Sequence, residues 1–411
     1  MIRLRHLVKT APSSKEIKNL TINDNVTFTP MDNLKDGIGG IDASNKRTLG
    51  ELLQASYNYF AEGDLLLAKV TPCFENGKKA IAKGLINGIG FATSEVHVIR
   101  PNRNKIDPNY LRYVFCAEDF RAEALKSMTG SGGLRRINEN AILNYCPRIV
   151  DIQLQREIAD FLDRETDLIN QLIEKKEAFL LKASKRIESL VDKAISCQRV
   201  PRIRFENVVQ RMQRSVNLSE YDELIRLGLY NKGRGIFKKP AADEEGMGDS
   251  KFFFVEPGDL ILSGQFAWEG AVALATSKED GCVVSHRYPI YRGKGSVNTA
   301  YLFGLLRSNF GDFILNEASR GSAGRNRPLN TWRLGKEKIP IPEISLQEEI
   351  EQAVIFERRL REKTQRSIDI LEEFRTSLIT EAVTGQLDIK LWKKRGNTDR
   401  RLDNIEEAMQ T

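Results

Sequence analysis

The sequence contains no run approaching the ~20 apolar residues that cross a bilayer. Met1-Ile2-Arg3-Leu4-Arg5 is not followed by the apolar core of a secretory signal. No membrane association is expected, and a cytoplasmic location is. Cysteine is scarce: Cys73, Cys116, Cys146, Cys197 and Cys282 are odd in number and lack CxxC spacing. That argues against a disulfide framework and for reduced cytosolic thiols. The three histidines, at 6, 97 and 286, show no ligand spacing, so no metal site is expected. No G-x-x-x-x-G-K-[ST] phosphate loop occurs. Gly37-Ile38-Gly39-Gly40 lacks a preceding apolar strand and reads as a turn. No nuclease cluster of two carboxylates and a lysine stands out. No catalytic residue is assigned, and no cofactor is expected on this chain.

Two stretches lack both proline and glycine. One runs from Leu154-Gln155-Arg156-Glu157-Ile158 to Ile195, the other from Leu346-Gln347-Glu348-Glu349-Ile350 to Val383. In the first, Ile158, Leu162, Ile169, Leu172, Leu180, Ile187 and Leu190 form an apolar seam. In the second, Ile350, Leu360, Ile368, Leu371 and Leu378 do so. Steps of three, four and seven keep such a seam on one helix face. A narrow seam over this length predicts two long coiled-coil helices. Pro147 precedes the first and Pro340 and Pro342 the second, while Gly385 stops the second. The matched endings, Ser189-Leu190-Val191 and Ser377-Leu378-Ile379, imply a second helix four residues shorter.

The net charge of +7 is uneven: residues 1–150 carry +6, residues 199–344 carry +5, and the helical stretches −2 each. Charge this mild fits a solvated surface, or two basic faces for a polyanion. The basic segments also repeat. Ile2–Val8 parallels Ile203–Val209, and Gly63-Asp64-Leu65-Leu66-Leu67 parallels Gly258-Asp259-Leu260-Ile261-Leu262, a tight turn into a buried strand. Phe91–Ile99 reads as one strand with Cys282–Ile290 as its counterpart. Asp107-Pro108 caps a helix through Tyr110, as Asn298 does through Tyr301. Asp107-Pro108-Asn109-Tyr110 superficially resembles the D/N-P-P-Y signature of amino-methyltransferases, but its third position is Asn and its repeat partner lacks proline. The cap reading is preferred. A period near 190 residues is a domain duplication.

Each half also carries a Gly/Ser/Arg loop: Gly130, Ser131, Gly133, Arg135 and Arg136 in the first, Arg320, Ser322, Gly324, Arg325 and Arg327 in the second. Small residues let backbone N–H groups approach phosphate, and arginine offers bidentate contacts to phosphate or guanine. Lys69, Lys78, Lys79, Lys238 and Lys239 are further basic candidates for DNA binding. Between the shared marks the halves diverge. Ala68–Lys78 and Ser263–Gly270 have unlike sequences, as two modules reading different targets would.

These residues resemble the specificity subunit of type I restriction–modification systems. The strongest likeness lies in Gly63–Lys78, Pro340–Ile350 and Arg375–Gly385. The resemblance implies an α+β fold in which two similar α/β target recognition domains, 1–150 and 199–343, are separated by two long antiparallel coiled-coil helices, 151–198 and 344–390. A charged, mobile tail, 391–411, is expected to follow. The resemblance also implies sequence-specific recognition of double-stranded DNA without catalysis. Two DNA adenine methyltransferase subunits carrying S-adenosylmethionine, and restriction subunits carrying ATP and Mg²⁺, would be the partners. A family-style leading segment is expected to be short or missing. Two alternatives remain at this point: a self-contained DNA methyltransferase or nuclease, and a coiled-coil adaptor without DNA binding.

Overall fold

The structure, a computed structural model, describes residues 2–35, 40–131, 133–196, 200–248, 250–321 and 327–395. The turn expected at Gly37–Gly40 lies largely outside them, as do Cys197 and residues 396–411. The chain divides into two compact units. One holds residues 1–174 and 366–411, the other 175–365.

In the first unit the strands are β1 (Val8–Thr10), β2 (Asn25–Thr29), β3 (Lys46–Thr48), β4 (Asn58–Ala61), β5 (Leu65–Ala68), β6 (Lys79–Ile81), β7 (Ile89–Ala92) and β8 (Val96–Pro101). They form two four-stranded sheets, β1-β8-β5-β6 and β3-β2-β7-β4. All pairs are antiparallel except β2–β7. Strand β5 is buried on both faces, which explains its unbroken apolar run. Leu65 and Leu67 point into a core shared with helices, while Leu66 and Ala68 point into the core between the sheets. The turn before it needs Gly63, whose φ is +86°. Asp64 accepts from the Ala61 N–H and from Arg100 at 2.7 Å, and Arg100 also pairs with Glu16.

The second unit repeats this plan. After β9 (Arg202–Arg204) come β10 (Val209–Met212), β11 (Leu224–Leu229), β12 (Ile236–Ala242), β13 (Phe252–Phe254), β14 (Leu260–Leu262), β15 (Val272–Leu274), β16 (Val283–Ser285) and β17 (Ile290–Gly293). Their orders are β10-β17-β14-β15 and β12-β11-β16-β13, the same as in the first unit strand for strand, with β11–β16 the parallel pair. A last strand, β18 (Lys338–Pro340), pairs with β9. Gly258 has φ +87°, and Asp259 takes Arg214 and Arg292 where Asp64 takes Arg100. The segments read as single strands, Phe91–Ile99 and Cys282–Ile290, are each two strands. Thr93–Glu95 and His286–Pro289 interrupt them, and the chain passes there from one sheet to the other.

The two long helices are Ile152–Ile195, of 44 residues, and Ile344–Thr384, of 41. The difference is three residues, not four, because each begins two residues before the apolar pattern and the second runs one beyond it. No helix among the described residues is long and apolar enough to cross a membrane. In the first unit, Ile158, Leu162 and Ile169 share a core with Leu371 and Leu378, and Arg375 donates to Asn170 at 2.5 Å. In the second, Ile187 and Leu190 pack with Ile350, and Ser184 donates to Glu357 at 2.9 Å. Early residues of one helix meet late residues of the other, the order of an antiparallel pair. Leu180 and Ile368 are buried; Leu172, Leu190 and Leu360 are half-buried. The narrow seam overlooked Phe161, Val191, Val354 and Ile379, all buried, because the helices pack on the globular modules as well as on each other. The segment expected to be a mobile tail begins with a helix, Ile389–Arg395. Its Trp392 is buried edge-on against Phe161.

One device joins module to helix twice. Gln155, fully buried, accepts from the Asp107 N–H at 2.8 Å and donates to the Val150 carbonyl. Gln347 accepts from the Asn298 N–H at 2.8 Å and donates to the Pro342 carbonyl. Asp107 and Asn298 each cap the next helix, as expected. Tyr110, buried, donates to the Arg148 carbonyl, so its role in the Asp107–Tyr110 segment is packing. Beyond this the attachments differ. Asp163 receives Arg112 and Tyr113 in the first unit, and buried Glu357 receives Arg307 and Arg361 in the second.

Candidate nucleic-acid interface

In each module three loops meet at one corner. They are the loop after β5 or β14, the crossing between sheets, and the Gly/Ser/Arg loop. In the first, the Lys69 N–H donates to the Glu95 carbonyl at 3.0 Å, and the Ile137 N–H donates to the Lys69 carbonyl at 2.8 Å. In the second, the Gly264 N–H donates to the Arg287 carbonyl and the Leu329 N–H to the Gly264 carbonyl, both at 2.7 Å. Lys69 and Gly264, Glu95 and Arg287, and Ile137 and Leu329 are therefore equivalent positions. The Gly-Asp repeat already aligns Lys69 with Gly264, but the repeat signals do not align Glu95 with Arg287 or Ile137 with Leu329, because the connecting loops differ in length and share no residues there.

The first corner is tightly held. Thr71 Oγ1 donates to the Gly133 carbonyl at 2.9 Å and accepts from the Arg135 N–H at 3.0 Å. Gly130 and Gly133 take φ of +139° and +81°, and a Cβ at Gly130 would stand 2.3 Å from the Leu134 carbonyl oxygen. Glycine there lets the loop double back. Ser131, Arg135 and Arg136 are exposed, as the DNA-facing expectation requires. The arginines are not free, however. Arg136 grips Glu95 through Nε at 2.9 Å and Nη2 at 2.8 Å, and Arg135 lies 3.5 Å from Glu75. That grip holds the Glu95 carboxyl below its usual range. At this exposure such pairs contribute at most about 1 kcal/mol, so a ligand phosphate could displace them.

Lys69 is half-buried and joins no ion pair among the described residues. Lys78 is half-buried and donates to the Met31 carbonyl at 3.1 Å. Lys79 corrects the sequence reading. It is 3% exposed, and its ammonium donates to the Gly77 carbonyl, so it braces the β5–β6 turn from inside.

In the second module Ser322, Gly324 and Arg325 lie outside the described residues, as Gly132 does in the first. Arg320 is exposed and pairs with Glu317. Arg327 donates to the Ser319 carbonyl at 3.3 Å and stacks 4.9 Å above the Trp268 ring, which joins its loop to the one after β14. Lys238 and Lys239 are exposed on β12, an edge strand away from the three-loop corner. Lys46 and Arg47 on β3 are their topological counterparts. Lysine on an edge strand also discourages edge-to-edge pairing. The structure thus brings together Lys69, Gly130, Ser131, Gly133, Arg135 and Arg136 in one module and sets Lys78, Lys79, Lys238 and Lys239 apart. Glu95 and Arg287 belong to these corners and were missed, for a lone charge in an apolar stretch carries no periodic signal.

No family model matches the chain. Over 120 residues it is 35% identical to the type I restriction enzyme EcoEI specificity subunit of Escherichia coli, a match covering 29% of this chain and 20% of that protein. Over 148 residues it is 34% identical to the EcoAI specificity subunit of Escherichia coli, covering 36% and 25%. The matches thus span about a fifth to a quarter of the length of these curated relatives. A solved chain from work on complex assembly and conformational transition of the type I R-M system superimposes with a TM-score of 0.56 at 15% identity, over 94% of this chain and 97% of that one. That likeness establishes a shared fold. Over about a third of its length the sequence is thus similar to specificity subunits of type I restriction enzymes, and over nearly all of its length the chain shares the fold of that solved chain.

Proposed function

We propose that the chain is the sequence-specific, double-stranded-DNA recognition subunit of a type I restriction–modification complex. Residues 1–150 and 199–343 each read one half of a bipartite, asymmetric target. The helices, 151–198 and 344–390, set the unread spacer and dock two DNA adenine methyltransferase subunits, through which restriction subunits join. Catalysis then belongs to the partners: S-adenosylmethionine to the methyltransferase subunits, ATP and Mg²⁺ to the restriction subunits. The named relatives support this reading.

The observation that carries it is one scaffold used twice with different chemistry at the same corner. Strand order and the two tethering main-chain bonds repeat, while Lys69 and Glu95 on one corner become Gly264 and Arg287 on the other. Rigid frames with unlike loops are what two readers of different half-sites need. An adaptor without a nucleic-acid role leaves that difference without a purpose.

Co-expression with the methyltransferase subunits of its host, followed by mapping of methylated adenines, is the test. A two-part site with a fixed unread spacer is expected. A single continuous site would overturn the bipartite reading, and methyl transfer by the purified chain alone would overturn the non-catalytic one.

A further inference from the structure

We propose that Arg287 is a DNA-contacting residue of the second module, standing where Lys69 stands in the first. The inference rests on the DNA-reading function above and adds the crossing between β16 and β17 to its reading surface.

An exposed arginine is ordinarily just solvated surface. Three observations lift Arg287 above that. First, its root is held. The Arg287 carbonyl accepts from Gly264 at 2.7 Å, the neighbouring His286 N–H donates to the Lys251 carbonyl at 2.8 Å, and the Tyr288 N–H donates to the Ser285 carbonyl at 2.9 Å. A Cβ on residue 264 would stand 2.3 Å from the Arg287 carbonyl oxygen, so glycine is what lets the turn sit this close. A side chain on such an anchored turn is pre-oriented, which lowers the ordering cost of binding.

Second, at these two equivalent positions one cation is kept but stands on the other loop. In the first module the loop after β5 supplies Lys69, and the crossing supplies the acid Glu95, already occupied by Arg136. In the second, the loop supplies no side chain at Gly264, and the crossing supplies Arg287. Each corner thus presents a cation at one of two positions joined by the same main-chain bond, Lys69 in one and Arg287 in the other. An anionic ligand common to both corners, with different detail at each, accounts for the exchange.

Third, the Arg287 guanidinium is exposed, and among the described residues it makes no hydrogen bond or ion pair. Gln265, Phe266 and His286 beside it are exposed too, with Phe266 at 43%. The guanidinium is thus available for phosphate oxygens or for guanine O6 and N7, both of which it matches bidentately.

The test uses the full chain co-expressed with its methyltransferase subunits and a randomised duplex library, then titration on the selected duplex across salt concentrations. Arg287→Ala is expected to weaken binding roughly ten-fold or more. Arg287→Lys separates the two chemistries. Retained binding and salt slope point to phosphate; a relaxed preference at one position of one half-site points to a guanine edge. Arg287→Gln, of similar length, guards against a folding defect in the alanine variant. Unchanged affinity, salt slope and sequence preference in Arg287→Ala and Arg287→Gln would overturn the inference while leaving the proposed function standing. Loss confined to the half-site that Lys69→Ala disturbs would overturn it equally. A wild-type complex that selects no duplex would overturn the proposed function, and this inference with it.

Discussion

Lys79 and Arg287 show how little a residue's type says about its role. Both are cations in a basic module, yet one is sealed beneath a turn and the other stands in solvent. A buried carboxylate here is met by several partners. Asp259, with no exposed surface, accepts from Arg214 at 2.8 Å, from Arg292 at 2.7 Å and from the Glu256 N–H at 2.9 Å. Asp259→Ala is expected to lower stability by about 1–3 kcal/mol, measured by denaturant unfolding, because it unpairs the Glu256 N–H and leaves Arg214 and Arg292 with Glu256 as their remaining carboxylate. Glu357 makes a comparable prediction with a pH signature. Burial opposes its charge, but Arg307 and Arg361 outweigh burial and leave its pKa below 4.5. A carboxylate depressed in the folded state stabilises fully above its unfolded value and loses that contribution as pH falls through the folded one. Glu357→Gln should therefore lower stability at neutral pH and flatten the acid limb of the stability curve below about pH 4.5. An acid limb identical to the wild type would show that Glu357 is not the titrating group.

Among elements, the long helices reveal what a periodic pattern can and cannot say. Their existence and near-equal length follow from apolar spacing and from the absence of proline and glycine. Their depth of burial does not, since it depends on what packs beside each turn. Leu371 is completely buried and Leu172 only partly. Leu371→Asp should therefore unfold the protein or cost several kcal/mol, with Leu172→Asp clearly milder, as read by thermal melts. Equal effects would contradict the packing described. Gln155 and Gln347 are less visible still, because a glutamine in a first helical turn looks like ordinary solvated polarity. Each is buried and satisfies a carbonyl just before its helix together with the main-chain N–H of a remote cap residue, Asp107 or Asn298. Gln155→Ala and Gln347→Ala should each cost about 1–3 kcal/mol through unpaired main-chain groups, whereas alanine at exposed Gln153 should cost almost nothing.

For the whole molecule, the proposed bipartite reading makes a demand on the DNA. Helices of 44 and 41 residues extend about 66 and 62 Å at ~1.5 Å per residue. On that reading the helices set an unread spacer of one fixed length. Adding or removing one spacer base pair shifts a half-site and rotates it by roughly a tenth of a turn. Methylation by the assembled complex is therefore expected nearly to vanish on such substrates. A complex that tolerates any spacer length would sink the ruler idea.

By itself the sequence determined the duplication, the two long helices, the Gly-Asp turns into buried strands and the Asp107 and Asn298 caps. Each of these is written in local spacing, turn chemistry or repetition, which survive without knowledge of distant contacts. Tertiary structure alone decided that one apolar stretch in each half divides between two sheets, since a strand and two short strands share the same apolar content. It also decided that Lys79 is buried, that Trp392 is core, and that Glu95 and Arg287 occupy equivalent corners. Those facts depend on which remote segments the sheets bring together, and residues far apart in the chain carry no mark of the neighbour they will meet.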